Sequence, residues 1–208
     1  MTFDKLPETI TKVQTAGRKA ALRAFSALVL IGIATTSGVS QVTAMGYISP
    51  SEPIPAGKAP KMQVQLLSAG ENRKQYAVIF YQGDEAYSGL REFAKKYHVT
   101  SAHFTAIGAV DKATLAWLDP QRKMYKRIPI QGQHEVLSMV GDIALYHGNP
   151  VLHSHMVVSG PDGTTRGGHV FEVYASPTLE VMVTVDPITM QKRLDPVTGI
   201  TLIDPESK

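Results

Sequence analysis

The second half of the chain alternates short runs of β-forming residues with turn residues, and this pattern constrains the fold most strongly. From residue 101 onward the runs predict strands over 103–110, 113–118, 124–130, 135–139, 143–146, 151–158, 169–175 and 179–185. Turn residues such as Asp119-Pro120 and Gly160-Pro161-Asp162-Gly163 separate them. Two earlier runs, 62–66 and 76–81, also have strand character. We therefore expect an antiparallel or mixed sheet with few helices.

One helix is predicted directly after the second of these early strands. Apolar residues recur there at helical spacing, and charged residues fill the other face. The residue placed to cap the helix is Asp84. The apolar positions are Ala86, Leu90, Phe93, Ala94 and Tyr97. Together with the strands, this helix places the chain in the α+β class.

The N-terminal region has the pattern of a secretory signal peptide. Arg18, Lys19 and Arg23 precede an uncharged run over residues 24–34, and small side chains follow up to Ala44. We predict cleavage after Ala44 and a periplasmic or secreted location. An uncleaved anchor helix or a misplaced start codon is the alternative.

Two segments are predicted after the cleavage site. Residues 45–61 contain four prolines and are predicted to be an extended linker or arm that contributes nothing to a core. Residues 62–205 are predicted to form a single domain, in keeping with the length of the chain.

Charge and cysteine content exclude several classes of function. The chain has no cysteine, so disulfides, thiolate metal ligands and a cysteine nucleophile are all excluded. Residues 1–44 hold five basic and two acidic side chains out of totals of 21 and 18, leaving 16 of each sign after Ala44. A region with no net charge has no global electrostatic reason to bind nucleic acid, whose affinity comes largely from phosphate neutralisation.

Three histidines form the most informative chemical pattern. His153 and His155 are two positions apart in a predicted strand, so they project from the same face. The 160–163 turn returns the chain to a strand that opens with His169, after two glycines that permit close backbone approach. Three neutral imidazoles with an open fourth position are typical of a catalytic zinc site. Alternatively, the histidines bond to backbone and to a neighbouring subunit.

Two further residues are weaker candidates for binding a substrate. Glu172 is three positions after His169, so in a regular strand it faces the opposite side and could join the site only through a bulge. A polar contact between subunits is its alternative role. Arg166 could bind an anionic substrate, although arginines in turns are commonly solvated. His98, His103, His134 and His147 show no spacing that suggests ligation.

Several short motifs resemble those of one known family. They are Gly108-Ala109-Val110, Trp117-Leu118-Asp119-Pro120, Leu137-Ser138-Met139-Val140-Gly141, His153-Ser154-His155 and Gly167-Gly168-His169. With them, the chain resembles a bacterial PPC domain, the "plants and prokaryotes conserved" domain also called PCC. The resemblance implies a curved mixed or antiparallel sheet with one main helix packed on it, usually assembled as a homotrimer.

Three alternative functions are compatible with this resemblance. Plant members are associated with DNA, chiefly through a separate AT-hook with an Arg-Gly-Arg-Pro core, which this chain lacks. A more distant resemblance, to acetolactate decarboxylase, implies zinc or another divalent metal at the three histidines. We therefore expect an exported homotrimer whose metal site binds or transforms a small molecule, with no reaction assigned. A non-enzymatic binding or scaffold module and a DNA-binding protein are the alternatives.

Overall fold

The computed structural model describes residues 46–52, 54 and 56–207. The predicted signal peptide and its cleavage site lie outside these residues. The described residues form one helix and nine strands, which are β1 (Tyr47–Ile48), β2 (Gln63–Ala69), β3 (Lys74–Tyr81), α1 (Ala86–Lys96), β4 (Ser101–Asp119), β5 (Met124–Tyr146), β6 (Asn149–Ser159), β7 (Thr165–Val185), β8 (Lys192–Leu194) and β9 (Thr201–Ile203).

Seven of the strands form one sheet in which every pairing is antiparallel. The order is β1-β5-β4-β7-β3-β2, and β6 pairs with both β5 and β7. Each of the four long strands β4 to β7 therefore pairs with two of the others, which closes them into a strongly curved unit. Strands β8 and β9 form a separate hairpin. The α+β class and the curved sheet with one helix are confirmed.

The long strands are fewer and longer than predicted. Seven of the predicted runs belong to only three strands, β4, β5 and β7. The sheet bends through bulges such as those between Ala106 and Gly108 and between Val110 and Lys112. Gly108 has φ 137°, and a Cβ there would lie 2.4 Å from the Thr178 carbonyl oxygen. Glycine therefore lets the strand bend at a close approach without ending it.

The helix is confirmed, but the residue that caps it differs from the prediction. Glu85 is the N-cap, and its carboxylate accepts hydrogen bonds from the N–H groups of Tyr87 at 3.1 Å and Ser88 at 2.7 Å. Asp84 instead accepts a bond from the Lys61 N–H at 3.0 Å, so it ties the preceding segment to the turn. Both residues satisfy the preference for a carboxylate near a helix start, and sequence spacing alone misplaced the cap by one position.

The main core lies between the helix and the inner face of the sheet. Leu90 and Phe93 on the helix pack with Phe80, Phe104 and Met139 from the strands, and all five are almost fully buried. Burial of large apolar side chains is the main favourable contribution to folding. This layer therefore holds the strands in place.

A second, smaller apolar cluster lies on the outer face of the sheet. It consists of Ile48, Ala116, Tyr125 and Phe171, with partly buried neighbours that include Ile200. Ala116 is on the outer face because it alternates along β4 with core residues. The proline-rich segment and the C-terminal segment thus cover part of this face.

The proline-rich segment packs more extensively than predicted. Ile48 is 6% exposed and belongs to the outer cluster, whereas Ala59 is 8% exposed and belongs to the main core. The expectation that this segment contributes nothing to a core was wrong, because single apolar residues near the prolines are enough to anchor an extended chain. Within the described residues, no helix is long and apolar enough to cross a membrane.

Candidate metal centre

The β6–β7 hairpin brings the three histidines together on the outer face. Ser154, between His153 and His155, is buried, so both imidazoles project outward. His155 is directly opposite His169 in the antiparallel register. A Cβ at Gly168 would lie 2.5 Å from the Ala116 carbonyl oxygen, so only glycine lets β7 pass this close to β4.

The distance between the nitrogens of His153 and His155 fits a tetrahedral metal ion, and a nitrogen of His169 lies nearby. The Nε2 atoms of His153 and His155 are 3.3 Å apart, and one nitrogen from each of the three histidines lies within 4.8 Å of the others. Two nitrogens bound to a tetrahedral zinc at about 2.05 Å are about 3.3 Å apart. The donor set and the spacing therefore fit zinc or a similar divalent metal.

His169 is the most enclosed of the three. Tyr125 stacks on its ring at 4.8 Å and Phe171 meets it edge-on at 5.1 Å. Its Nδ1 is buried and has no hydrogen-bond partner among the described residues. Burial, with smaller effects of His153 and other nearby cationic groups, lowers the pKa of His169 to about 3. The ring is therefore neutral near pH 7, the state that a metal ligand requires.

His155 is also biased toward its neutral form. Its partial burial, and then the proximity of His153, lower its pKa below the usual value. Protonation of His155 would place a positive charge close to the imidazole of His153. Two of the three candidate ligands thus favour the form that can bind a metal.

Asp142 and Lys192 support His153 from behind. His153 Nδ1 is 3.6 Å from Asp142 Oδ2, and Asp142 Oδ1 is 2.6 Å from Lys192 Nζ. Burial opposes ionisation of Asp142, but the contacts with His153 and Lys192 outweigh it and hold its pKa below the usual value. A carboxylate at Nδ1 favours a proton there and leaves Nε2 free to bind a metal.

A cavity of about 610 Å³ opens beside His153 and His169. Its volume is in the range of small-molecule sites. Four aromatic side chains contribute to its walls: Tyr87, Tyr125, Tyr146 and Phe171. Arg91 of the helix also lines it, so the cavity combines an apolar body with a cation and two candidate metal ligands.

Tyr87 links the helix to the histidine strand. Its hydroxyl donates a hydrogen bond to the Leu152 carbonyl at 2.7 Å, directly before His153 in the chain. Burial is the main cause that raises the pKa of Tyr87, so the phenol stays protonated and remains a donor. The helix therefore fixes the backbone at the start of the metal centre.

Glu172 lies on the histidine face but belongs to a different cavity. Phe171 is an extra residue in the pairing of β7 with β4, and this bulge turns Glu172 to the outer face opposite Thr114. Glu172 accepts a hydrogen bond from the Thr114 hydroxyl at 2.9 Å. It lines a small cavity of about 60 Å³ with Arg127, and it does not line the cavity beside His169.

Arg166 does not line the large cavity either. Its guanidinium donates a hydrogen bond to the Pro129 carbonyl at 3.0 Å on the sheet surface. Of the remaining histidines, His103 contacts Asp186 at 3.2 Å and His134 contacts the Gly132 carbonyl at 2.9 Å. Across residues 46–207 as described, His153, His155 and His169 form the one group with metal-binding geometry.

Sequence reasoning missed the residues that support the site. Asp142 could have been found, because Asp142 and His153 are equally far from the two-residue turn His147–Gly148 and therefore pair across the hairpin. Lys192 and Arg91 gave no such signal. They reach the site through contacts between distant elements, which no local spacing encodes.

Comparison with known proteins relates the fold to a single family. No curated protein matches the chain. A family model described as "Plants and Prokaryotes Conserved (PCC) domain" matches residues 67–186.

Solved structures from several organisms have similar folds, and three of them illustrate the similarity. A PPC protein from Pyrococcus horikoshii is 22% identical with TM-score 0.60, and the alignment covers 70% of this chain and 97% of that one. A metal-containing protein from Archaeoglobus fulgidus is 24% identical with TM-score 0.59, covering 69% and 97%. A Bacteroides thetaiotaomicron protein, provisionally described as DNA-binding, is 23% identical with TM-score 0.64, covering 69% and 99%.

Proposed function

Because the chain belongs to the family of plants and prokaryotes conserved domains, we propose that it is an exported, homotrimeric member with a functional metal centre. His153, His155 and His169 hold a divalent metal, with zinc as the first choice. The site binds or transforms a small molecule. The convergence of three imidazole nitrogens within 4.8 Å is the observation that carries this proposal.

The chemistry of the donors supports zinc. The candidate ligands are all imidazoles, and the chain has no thiolate to close a four-ligand structural site. The similar protein from Archaeoglobus fulgidus is described as metal-containing. Bound zinc would supply Lewis acidity toward an oxygen or nitrogen atom of a ligand.

The surrounding residues have separate supporting tasks. Asp142 orients His153, and Lys192 keeps Asp142 charged. Tyr125 and Phe171 pack around His169 and limit its access to water. A dry, shaped surrounding of this kind strengthens polar interactions with a ligand in the cavity.

The exposed apolar residues of the outer face support a homotrimer. Val140 is paired with His155 on one side and with Thr105 on the other, and Thr105 is paired with Met182. These four residues therefore lie in one row across the sheet. Val140 and Met182 are 49% and 44% exposed, and Ile107 is 62% exposed. Grouped apolar residues of this kind mark interaction surfaces, and a closed homo-oligomer is the common solution. Export is supported by the signal-peptide pattern of residues 1–44.

Metal content tests the proposal directly. The mature protein should contain about one zinc per chain by elemental analysis, and His155→Ala should lose it while it stays folded. The control is His134→Ala, which removes an exposed imidazole outside the group. The metal proposal fails if purified protein takes up no zinc, or if His155→Ala binds as much zinc as the control.

The apolar outer face also favours a second candidate, a non-enzymatic scaffold in which the histidines are structural. A stable trimer without metal, unaffected in assembly and in partner binding by His155→Ala, would favour this candidate. DNA binding is the third possibility, because a protein with a similar fold carries that provisional description. The balanced charge of residues 45–208 gives it no electrostatic support.

A further inference from the structure

We propose that the cavity beside the histidines binds a monocarboxylate with a flat apolar body, and that Arg91 holds the carboxylate. This inference rests on the proposed metal centre, which forms one pole of the cavity. Arg91 and the histidine pair His153 and His169 all line the same space of about 610 Å³. The ligand would therefore extend between a fixed cation and the metal.

Arg91 has unused capacity to bind an anion. Its Nη2 donates a hydrogen bond to the Ser88 hydroxyl at 3.1 Å, and its guanidinium carbon is 6.0 Å from the centre of the Tyr87 ring. Among the described residues, no carboxylate lies within ion-pair distance of Arg91. A guanidinium has five N–H donors, so most of its donors remain available to a carboxylate.

The other charges around the cavity are already balanced. Glu52, which lines the cavity, is 3.6 Å from Arg127, and Asp142 is paired with Lys192. The Tyr87 hydroxyl donates its proton to the Leu152 carbonyl, so it contributes no negative charge to the cavity. Arg91 and a bound divalent metal would thus leave the cavity positive, which favours an anion.

The apolar walls define the remainder of the ligand. Tyr125, Tyr146 and Phe171 present aromatic surface, and Ile54 and Ile200 add aliphatic surface. A polyhydroxylated ligand would lose hydration here without enough partners in return. A ring or short hydrocarbon fits these walls, and Arg91 is the one Lys or Arg side chain among the described residues that line them.

Part of the cavity wall comes from segments outside the region that matches the family. Ile54 precedes the matched residues 67–186, and Leu194 and Ile200 follow them. The histidines and Arg91 are within the matched region. The shape of the apolar body is therefore set partly by segments that flank the matched region.

The experiment compares three ligands that share a phenyl ring, and the acid and the amide among them have the same carbon skeleton. Zinc-loaded protein is titrated calorimetrically with 3-phenylpropionate, 3-phenylpropanamide and phenyl phosphate. We expect the acid to bind at least about tenfold more tightly than the amide, because a charged hydrogen bond contributes about 1.5–3 kcal/mol. Arg91→Gln should weaken binding of the acid by about tenfold or more, with little effect on the amide.

Arg166→Gln is the matched control, because Arg166 lies on the same protein but outside this cavity. It should bind the acid as well as the unmodified chain does. Thermal melting of each variant checks that it is folded, and the acid–amide comparison repeated in Arg91→Gln separates binding at the arginine from direct binding of the carboxylate to zinc.

The two levels of the proposal fail in different ways. If zinc binds normally but the acid binds no better than the amide, or phenyl phosphate binds more tightly, the inference is overturned and the metal centre stands. The same holds if Arg91→Gln binds the acid as well as Arg166→Gln does. If no zinc binds, the proposed function fails, and the inference fails with it.

Discussion

The two faces of the curved sheet are built from the same strands but differ in what covers them. The inner face packs against the helix, and its large side chains, such as Phe80 and Met139, are fully buried. The outer face has a small apolar cluster, the three histidines and exposed side chains such as Val140. Alternate residues of one strand therefore face the core on one side and the candidate site on the other, so a substitution on one face leaves the side chains of the other face in place.

Matched leucine substitutions, one in the helix that covers the inner face and one on the outer face, should show the largest difference. Leu90→Ala removes a fully buried side chain and should lower the free energy of unfolding by about 2–5 kcal/mol. Leu137→Ala removes a side chain that is 52% exposed and should cost the isolated chain less than about 1 kcal/mol. Urea denaturation at equal, low protein concentration measures both. Equal losses would contradict the assignment of the core to one face.

A charge on the outer face should break the proposed homotrimer. Ile107→Lys places an ammonium group on the exposed apolar surface, and we expect the molecular mass measured by light scattering to fall from trimer to monomer. The control is Ile188→Lys, at a position that is 78% exposed and outside the sheet. A trimer that survives Ile107→Lys but not Ile188→Lys would locate the interface elsewhere.

Removal of the charge behind His153 should weaken metal binding without unfolding the protein. Asp142→Asn should raise the zinc dissociation constant about 10–100-fold, because the amide no longer favours the Nδ1–H form of His153 as strongly. Asp186→Asn is the control, since Asp186 also contacts a histidine, His103, that is not in the metal group. Competition with a zinc-binding dye measures both constants. Equal affinity in the two variants would exclude a positioning role for Asp142.

DNA binding should show the smallest effect. Residues 45–208 have 16 basic and 16 acidic side chains, so we expect no steep dependence of DNA retention on salt concentration. Retention on a DNA column between low and moderate salt measures this. A strong salt-dependent interaction would show that the outer face carries a local basic patch that overrides the neutral total.

The two faces also differ in how far the sequence predicts them. The inner face follows simple periodicities, so the helix and the general sheet content were predictable. The histidine cluster was predictable because its residues lie within one hairpin and their pairing depends on a nearby turn. The merging of seven predicted runs into three strands was not, because bulges at residues such as Gly108 continue a strand through a bend.

Contacts between distant elements account for the rest of what was missed. Lys192 meets Asp142 only after the C-terminal segment folds back onto β5. Arg91 lies on the same cavity as His153 only because α1 packs against β6. Both placements depend on tertiary packing, which local sequence patterns do not encode.

The position of Lys192 means that the region which matches the family is shorter than the region which builds the candidate site. The region that matches the family ends at residue 186. Lys192 lies beyond this end and is buried against Asp142. Leu194 and Ile200, which are later still in the chain, form part of the cavity wall. A chain trimmed at residue 186 would keep all three histidines. It would also leave Asp142 partly buried without its cation, which is a costly state. A domain boundary placed by sequence similarity would thus remove Lys192, which stabilises the site, while it keeps the three histidines that identify the site.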